Sequence, residues 1–115
     1  MIIRTLLAMA VVSLMATPVL AHAFLSHADP GAGASLQQAP KEISLSFTEK
    51  LEPTFSGVSV SDAAGHDVES AAPVVSGNSV TVALKPLAAG SYRVSWHAVS
   101  IDSHRTEGSY SFSIK

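Results

Sequence analysis

The chain reads as an all-β protein, a two-sheet sandwich of about seven strands, and three observations lead there. Short runs of strictly alternating apolar and polar residues recur from residue 43 onward. Gly, Pro, Ser and Asn punctuate them at regular intervals. No stretch after residue 21 carries the 3.6-residue apolar period of an amphipathic helix.

Taken in order, Ile43, Leu45 and Phe47 alternate with Ser44 and Ser46. Val58 and Val60 alternate with Ser59 and Ser61, and Val80, Val82 and Leu84 with Thr81 and Ala83. Tyr92, Val94 and Trp96 alternate with Arg93 and Ser95, and Tyr110, Phe112 and Ile114 with Ser111 and Ser113. Each is a half-buried strand with one wet face. Ala64-Gly65 and Gly77-Asn78 are turn signals, and residues 30–40 form a polar, Gly-bearing connection. In Leu87-Ala88-Ala89-Gly90-Ser91-Tyr92, a Tyr enters a late strand just after a Gly turn. That is the pattern of a tyrosine corner, so the sandwich is expected to be of Greek-key, immunoglobulin-like type with Trp96 in its core. In the strand from Tyr92 the apolar positions are even up to Trp96 and odd at Val99 and Ile101. A one-residue slip flips faces, so a bulge is expected near His97–Ala98.

Residues 1–21 read as a secretory signal peptide and residues 22–115 as one domain. Arg4 precedes an apolar run from Leu6 to Ala16 broken by Ser13, and Thr17-Pro18 leads to small residues. The run is too short to span a bilayer comfortably, and nothing later is apolar enough to try. Two cuts overlap, one after Ala21 and one after Ala23. Removing 21 of the 115 residues leaves 94, enough for one small core. Without Arg4, six Lys and Arg stand against nine Asp and Glu, a net charge of −3 with no basic stripe. That speaks against nucleic-acid binding. There is no cysteine, and Met1, Met9 and Met15 all leave with the signal, whereas all five histidines stay.

Ile101-Asp102-Ser103-His104 is an Asp-x-His. On an extended segment residues two apart share a face, so a carboxylate and an imidazole would project together. Such a pair serves as half a metal site, as the orienting arm of a hydrolytic triad, or as a loop ion pair. No Gly-x-Ser-x-Gly elbow supports the triad. The metal reading gains from the N-terminus. A cut before His22 would let its α-amine and Nδ1 chelate one ion, since an α-amine titrates near pH 8. With Asp102 and His104 the set is three nitrogens and one oxygen, which favours Cu(II) over other divalent ions. The lack of mature sulfur ligands argues against a Cu(I) site. His66 reads as a solvated turn residue. His97 reads as a strand residue at the expected bulge, with an orienting role behind the ligands as its functional alternative. His27 is a minor candidate for a secondary site. Glu49 ends a strand, either as a surface acid or as an acceptor that orients the copper histidines.

The chain from residue 22 resembles the periplasmic copper-resistance protein C (CopC) family along essentially its whole length. The resemblance is carried by His22-Ala23-Phe24-Leu25, Asp29-Pro30-Gly31-Ala32-Gly33-Ala34 and Leu45-Ser46-Phe47-Thr48-Glu49. Gly90-Ser91-Tyr92-Arg93-Val94-Ser95-Trp96, Val99-Ser100-Ile101-Asp102-Ser103-His104 and Gly108-Ser109-Tyr110-Ser111-Phe112-Ser113-Ile114 complete it. It implies a seven-stranded Greek-key sandwich binding one Cu(II) per mature chain through a histidine brace. The implied ligands are His22, by amine and Nδ1, with Asp102 and His104, and Glu49 falls on the family's acid near the site. It further implies copper homeostasis in the periplasm, beside an inner-membrane CopD-like copper transporter, by a carrier or buffer that is not an enzyme and is expected to be a monomer. The Asp-x-His and the resemblance together require His22 first, hence the cut after Ala21. Ser103 stands where the family usually has Gly, which stiffens the ligand turn and removes no ligand. The Met-rich Cu(I) segment of some members is missing, so a Cu(II)-only member is expected. A copper monooxygenase also uses an N-terminal histidine brace, but the mature chain has few aromatics for a substrate platform. A metal-free interaction module would follow from the cut after Ala23.

Overall fold

The computed structural model describes residues 23–115. The predicted signal segment, residues 1–21, and the predicted ligand His22 lie outside the described residues. The alternating runs become strands β1 (Leu25–Asp29), β2 (Ser35–Leu36), β3 (Glu42–Phe47), β4 (Gly57–Asp62), β5 (Val74–Ser76), β6 (Ser79–Ala83), β7 (Gly90–Val99) and β8 (Arg105–Ile114). They form two four-stranded sheets, in the orders β1-β3-β6-β5 and β2-β8-β7-β4. This is an immunoglobulin-like sandwich with four strands in each sheet, one strand more than the seven expected. The eighth strand arises because the first is split: β1 pairs with β3 in one sheet, while β2 runs parallel to β8 in the other. β2 is only two residues long and lies in the polar 30–40 connection, where no apolar alternation marked it.

The expected inward faces are the core. Ile43, Leu45 and Phe47 of β3 meet Val80 and Val82 of β6, Val58 and Val60 of β4, Tyr92 and Val94 of β7, and Phe112 and Ile114 of β8. Each fully buried aliphatic side chain contributes about 1.5–3 kcal/mol of transfer free energy. The Phe47 and Trp96 rings meet edge to face at 5.2 Å and join the two sheets. Trp96 is only partly buried, although it packs against the core as expected. The tyrosine corner is present: the Tyr92 hydroxyl donates to the Ala88 carbonyl at 2.6 Å.

The expected bulge at His97–Ala98 is not there. β7 pairs in unbroken register with β8 from Gly90↔Ile114 to Val99↔Arg105, and with β4 from Gly57↔His97 to Asp62↔Tyr92. The inward face stays even through Ala98 to Ser100, both buried. Val99 and Ile101 misled because apolar residues are common on surfaces. Ile101 is 62% exposed. The ladder irregularity sits in β1, between Leu25 and His27.

Candidate metal centre

The Asp-x-His does not lie on an extended segment; it occupies the turn between β7 and β8. Ser100 opens the turn and His104 closes it. The Ser100 N–H donates to the His104 carbonyl at 3.0 Å, and the Ser103 N–H to the Ser100 carbonyl at 2.9 Å. Ser103 has φ +73°, in the left-handed region that favours glycine. Asp102 and His104 therefore come together by a reversal of the chain rather than by strand periodicity. Their contact is His104 Nδ1 to Asp102 Oδ2 at 3.2 Å, with both side chains partly exposed.

Ser100 holds this pair from below. It is 1% exposed, and its hydroxyl donates to Asp102 Oδ1. That hydrogen bond, joined by His104, holds the Asp102 carboxyl below the usual carboxylate range against the opposing effect of desolvation. A carboxylate kept ionised beside an imidazole is a ready N/O donor pair. Sequence reading passed over Ser100. Its signal is a polar residue falling on the even, inward phase of β7.

The N-terminal chain is brought to the same end of the sandwich. The Phe24 N–H donates to Thr48 Oγ1 at 2.9 Å, and the Thr48 N–H to the Phe24 carbonyl at 2.8 Å. Ala23 is 0% exposed, and its carbonyl accepts from the Thr106 hydroxyl at 2.6 Å. Thr106 is two residues beyond His104. The described chain is thus tied to β8 at Ala23. Glu49 follows Thr48 directly and is exposed, at the strand end that pairs with the N-terminal segment.

The other histidines are elsewhere. His97 lies opposite Gly57 of β4 and Glu107 of β8, on the odd-numbered outer face, so the structure does not set it beside Asp102 and His104. Its Cε1 is 3.2 Å from where a Cβ on Gly57 would stand. His27 is exposed in β1. His66 sits in a surface turn as expected, with Nδ1 3.6 Å from Asp62 Oδ2. Among the described residues no group of three His, Cys, Asp or Glu side chains is disposed to hold a metal. Asp102 and His104 thus need a further donor to form a metal site.

The comparisons with known proteins agree with this fold. The family model for the CopC domain matches residues 25–115. The chain belongs to the CopC family. Copper resistance protein C of Xanthomonas campestris pv. juglandis is 38% identical over 122 residues, covering 98% of this chain and 95% of that protein. The crystal structure of CopC from Methylosinus trichosporium OB3b superposes with a TM-score of 0.76 at 32% identity, covering 82% of this chain and 94% of that one. Copper transport protein CutJ of Bacillus subtilis (strain 168) is 33% identical over 98 residues, covering 82% of this chain but 18% of that longer protein. A CopC-like sequence thus occurs both as a whole small protein and as part of a larger one.

Proposed function

We propose that this CopC chain is a periplasmic copper-homeostasis protein that holds one Cu(II) in an N-terminal histidine brace and acts as a carrier or buffer. Membership of a family named for copper resistance supports copper as the cargo. The observation that carries the brace is the juxtaposition of the Asp102–His104 pair with an N-terminus anchored at Ala23. In this reading His22 contributes its amine and Nδ1, Asp102 a carboxylate oxygen, and His104 Nε2, because Nδ1 already meets the carboxylate. A hard carboxylate with three nitrogens suits Cu(II). Glu49 and His97 orient the site without binding copper. Glu49 would do so from the strand end beside the N-terminal segment, and His97 at a distance, through the packing of β7 on Gly57 of β4.

The burial of Ala23 also bears on processing. Cleavage after Ala23 would remove a core residue and leave the Thr106 hydroxyl without its acceptor. Cleavage after Ala21 keeps both and exposes the His22 amine. A copper-exchange partner of CopD type, in the inner membrane, is supported by one observation: CutJ, a copper transport protein, contains a CopC-like stretch within a longer chain.

The test is intact-mass measurement and chelator competition on the chain beginning at His22. One Cu(II) per chain is expected, and a chain carrying one extra residue before His22 should lose tight binding. Retention of parental affinity by the extended chain would sink the brace.

A further inference from the structure

The sequence singled out donors for copper, and none of that reasoning reached Thr106. We infer that the Thr106 hydroxyl is a positioning group for copper: by holding the Ala23 carbonyl it sets where His22 meets Asp102 and His104. The inference rests on the proposed brace.

Three observations carry it. The Thr106 Oγ1 to Ala23 carbonyl distance is 2.6 Å, well within hydrogen-bonding range, and the bond links residues 83 apart in the chain. Ala23 is wholly buried, so its carbonyl has no water to turn to. Thr106 is the second residue of β8, two after the turn residue His104, with Ala98 as its cross-strand neighbour. One short stretch of chain, 104–106, therefore holds a proposed ligand at one end and the anchor of another at the other.

Chain ends fray unless tied down. An amine chelate on a fraying end must be ordered at the moment of binding, which lowers affinity; a pre-ordered end avoids that loss. The Phe24–Thr48 ladder orders the chain only from Phe24 inward. The bond to Ala23 extends the ordered chain to the residue next to His22. A β-branched side chain suits the role because its restricted χ1 aims the hydroxyl.

The experiment compares the chain beginning at His22 with T106V, which keeps the shape and removes the donor, and T106S, which keeps the donor. H22A serves as the control for the brace. In the metal-free state, NMR order at the Ala23 amide should fall in T106V while Val60, Val82 and Val94 amides stay as in the parent. T106V should bind Cu(II) about tenfold more weakly in chelator competition, the equivalent of one lost hydrogen bond. Its electron paramagnetic resonance spectrum should become a mixture of species, whereas T106S keeps the parental spectrum and affinity. If T106V binds like the parent with the parental spectrum while H22A loses binding, the Thr106 assignment is overturned and the brace stands. If H22A binds as tightly as the parent, the brace itself fails and this inference with it. Should T106V not fold, T106A takes its place in the same comparison against T106S.

Discussion

Ser103 is the residue on which the ligand turn closes, and it closes it at a cost. Its φ of +73° places a side chain in the left-handed region, which disfavours L-residues by about 1–2 kcal/mol. Ser103→Gly should therefore raise the stability of the metal-free domain by roughly 1 kcal/mol, offset in part by glycine's greater freedom in the unfolded chain. Urea unfolding of the two chains checks this, and a lower midpoint for the Gly variant would contradict it. Tyr110 makes a second residue-level case. Its hydroxyl donates to the Pro30 carbonyl at 2.9 Å, and burial with the nearby Asp29 charge pushes its pKa up to about 12 from 10.0. A folded-state pKa above the unfolded one means stability fully present below pH 10 and lost as pH rises toward 12. Tyr110→Phe should cost about 1 kcal/mol at pH 7 through the lost hydrogen bond. Between pH 10 and 12 the gap to the parent should then narrow, which denaturant midpoints across that range would reveal.

At the scale of elements, the β7–β8 hairpin does most to place the site. Ten residues on each strand pair without interruption, and the turn at their end presents Asp102 and His104. One feature of that pairing has no slack. Trp96 lies over Gly108, its cross-strand partner, and a Cβ there would stand 2.6 Å from Trp96 Cζ2. Gly108→Ala must displace the indole and with it the edge-to-face contact to Phe47, at a cost of about 1–3 kcal/mol. A shifted tryptophan emission together with a lower thermal midpoint is the expected result; an unchanged spectrum would show that the ring has room to spare. β4 shows how an edge is handled. The Val60 N–H donates to the Glu69 carboxylate at 2.6 Å, and the Val68 N–H to the Val60 carbonyl at 3.0 Å, so residues 66–69 cover the open side of the sheet.

For the whole molecule, the proposed copper site joins the N-terminal strand of one sheet to a turn of the other. A ligand that binds only the folded chain stabilises it by about 2.7 kcal/mol at a hundred times its dissociation constant. In a domain of this size each kcal/mol moves the midpoint by roughly 4–8 °C. Free Cu(II) at that level should thus raise Tm by roughly 10–20 °C, and excess chelator should reverse it. Lowering the pH should shrink the increment, because protons compete for the His22 amine and both imidazoles. A copper-induced rise that survives removal of His22 would place the stabilising ion elsewhere.

By itself the sequence determined the all-β class, the alternating core faces, the tyrosine corner and the Asp-x-His, since each is written in local spacing. Two-residue periodicity shows directly which side chains turn inward, and a Gly turn before Tyr92 is a local signal. What only the tertiary structure decided is how distant segments meet. Val99 and Ile101 imitate a core face because apolarity alone does not record burial, and only the ladder with β8 shows an unbroken β7. The turn at 100–104 looks extended in sequence, because a serine at left-handed φ carries no mark of its conformation. Ser100 beneath Asp102 and Thr106 on the Ala23 carbonyl are ordinary hydroxyls in the sequence. They matter because folding carries residue 23 to residue 106, and no local pattern encodes a contact across 83 residues.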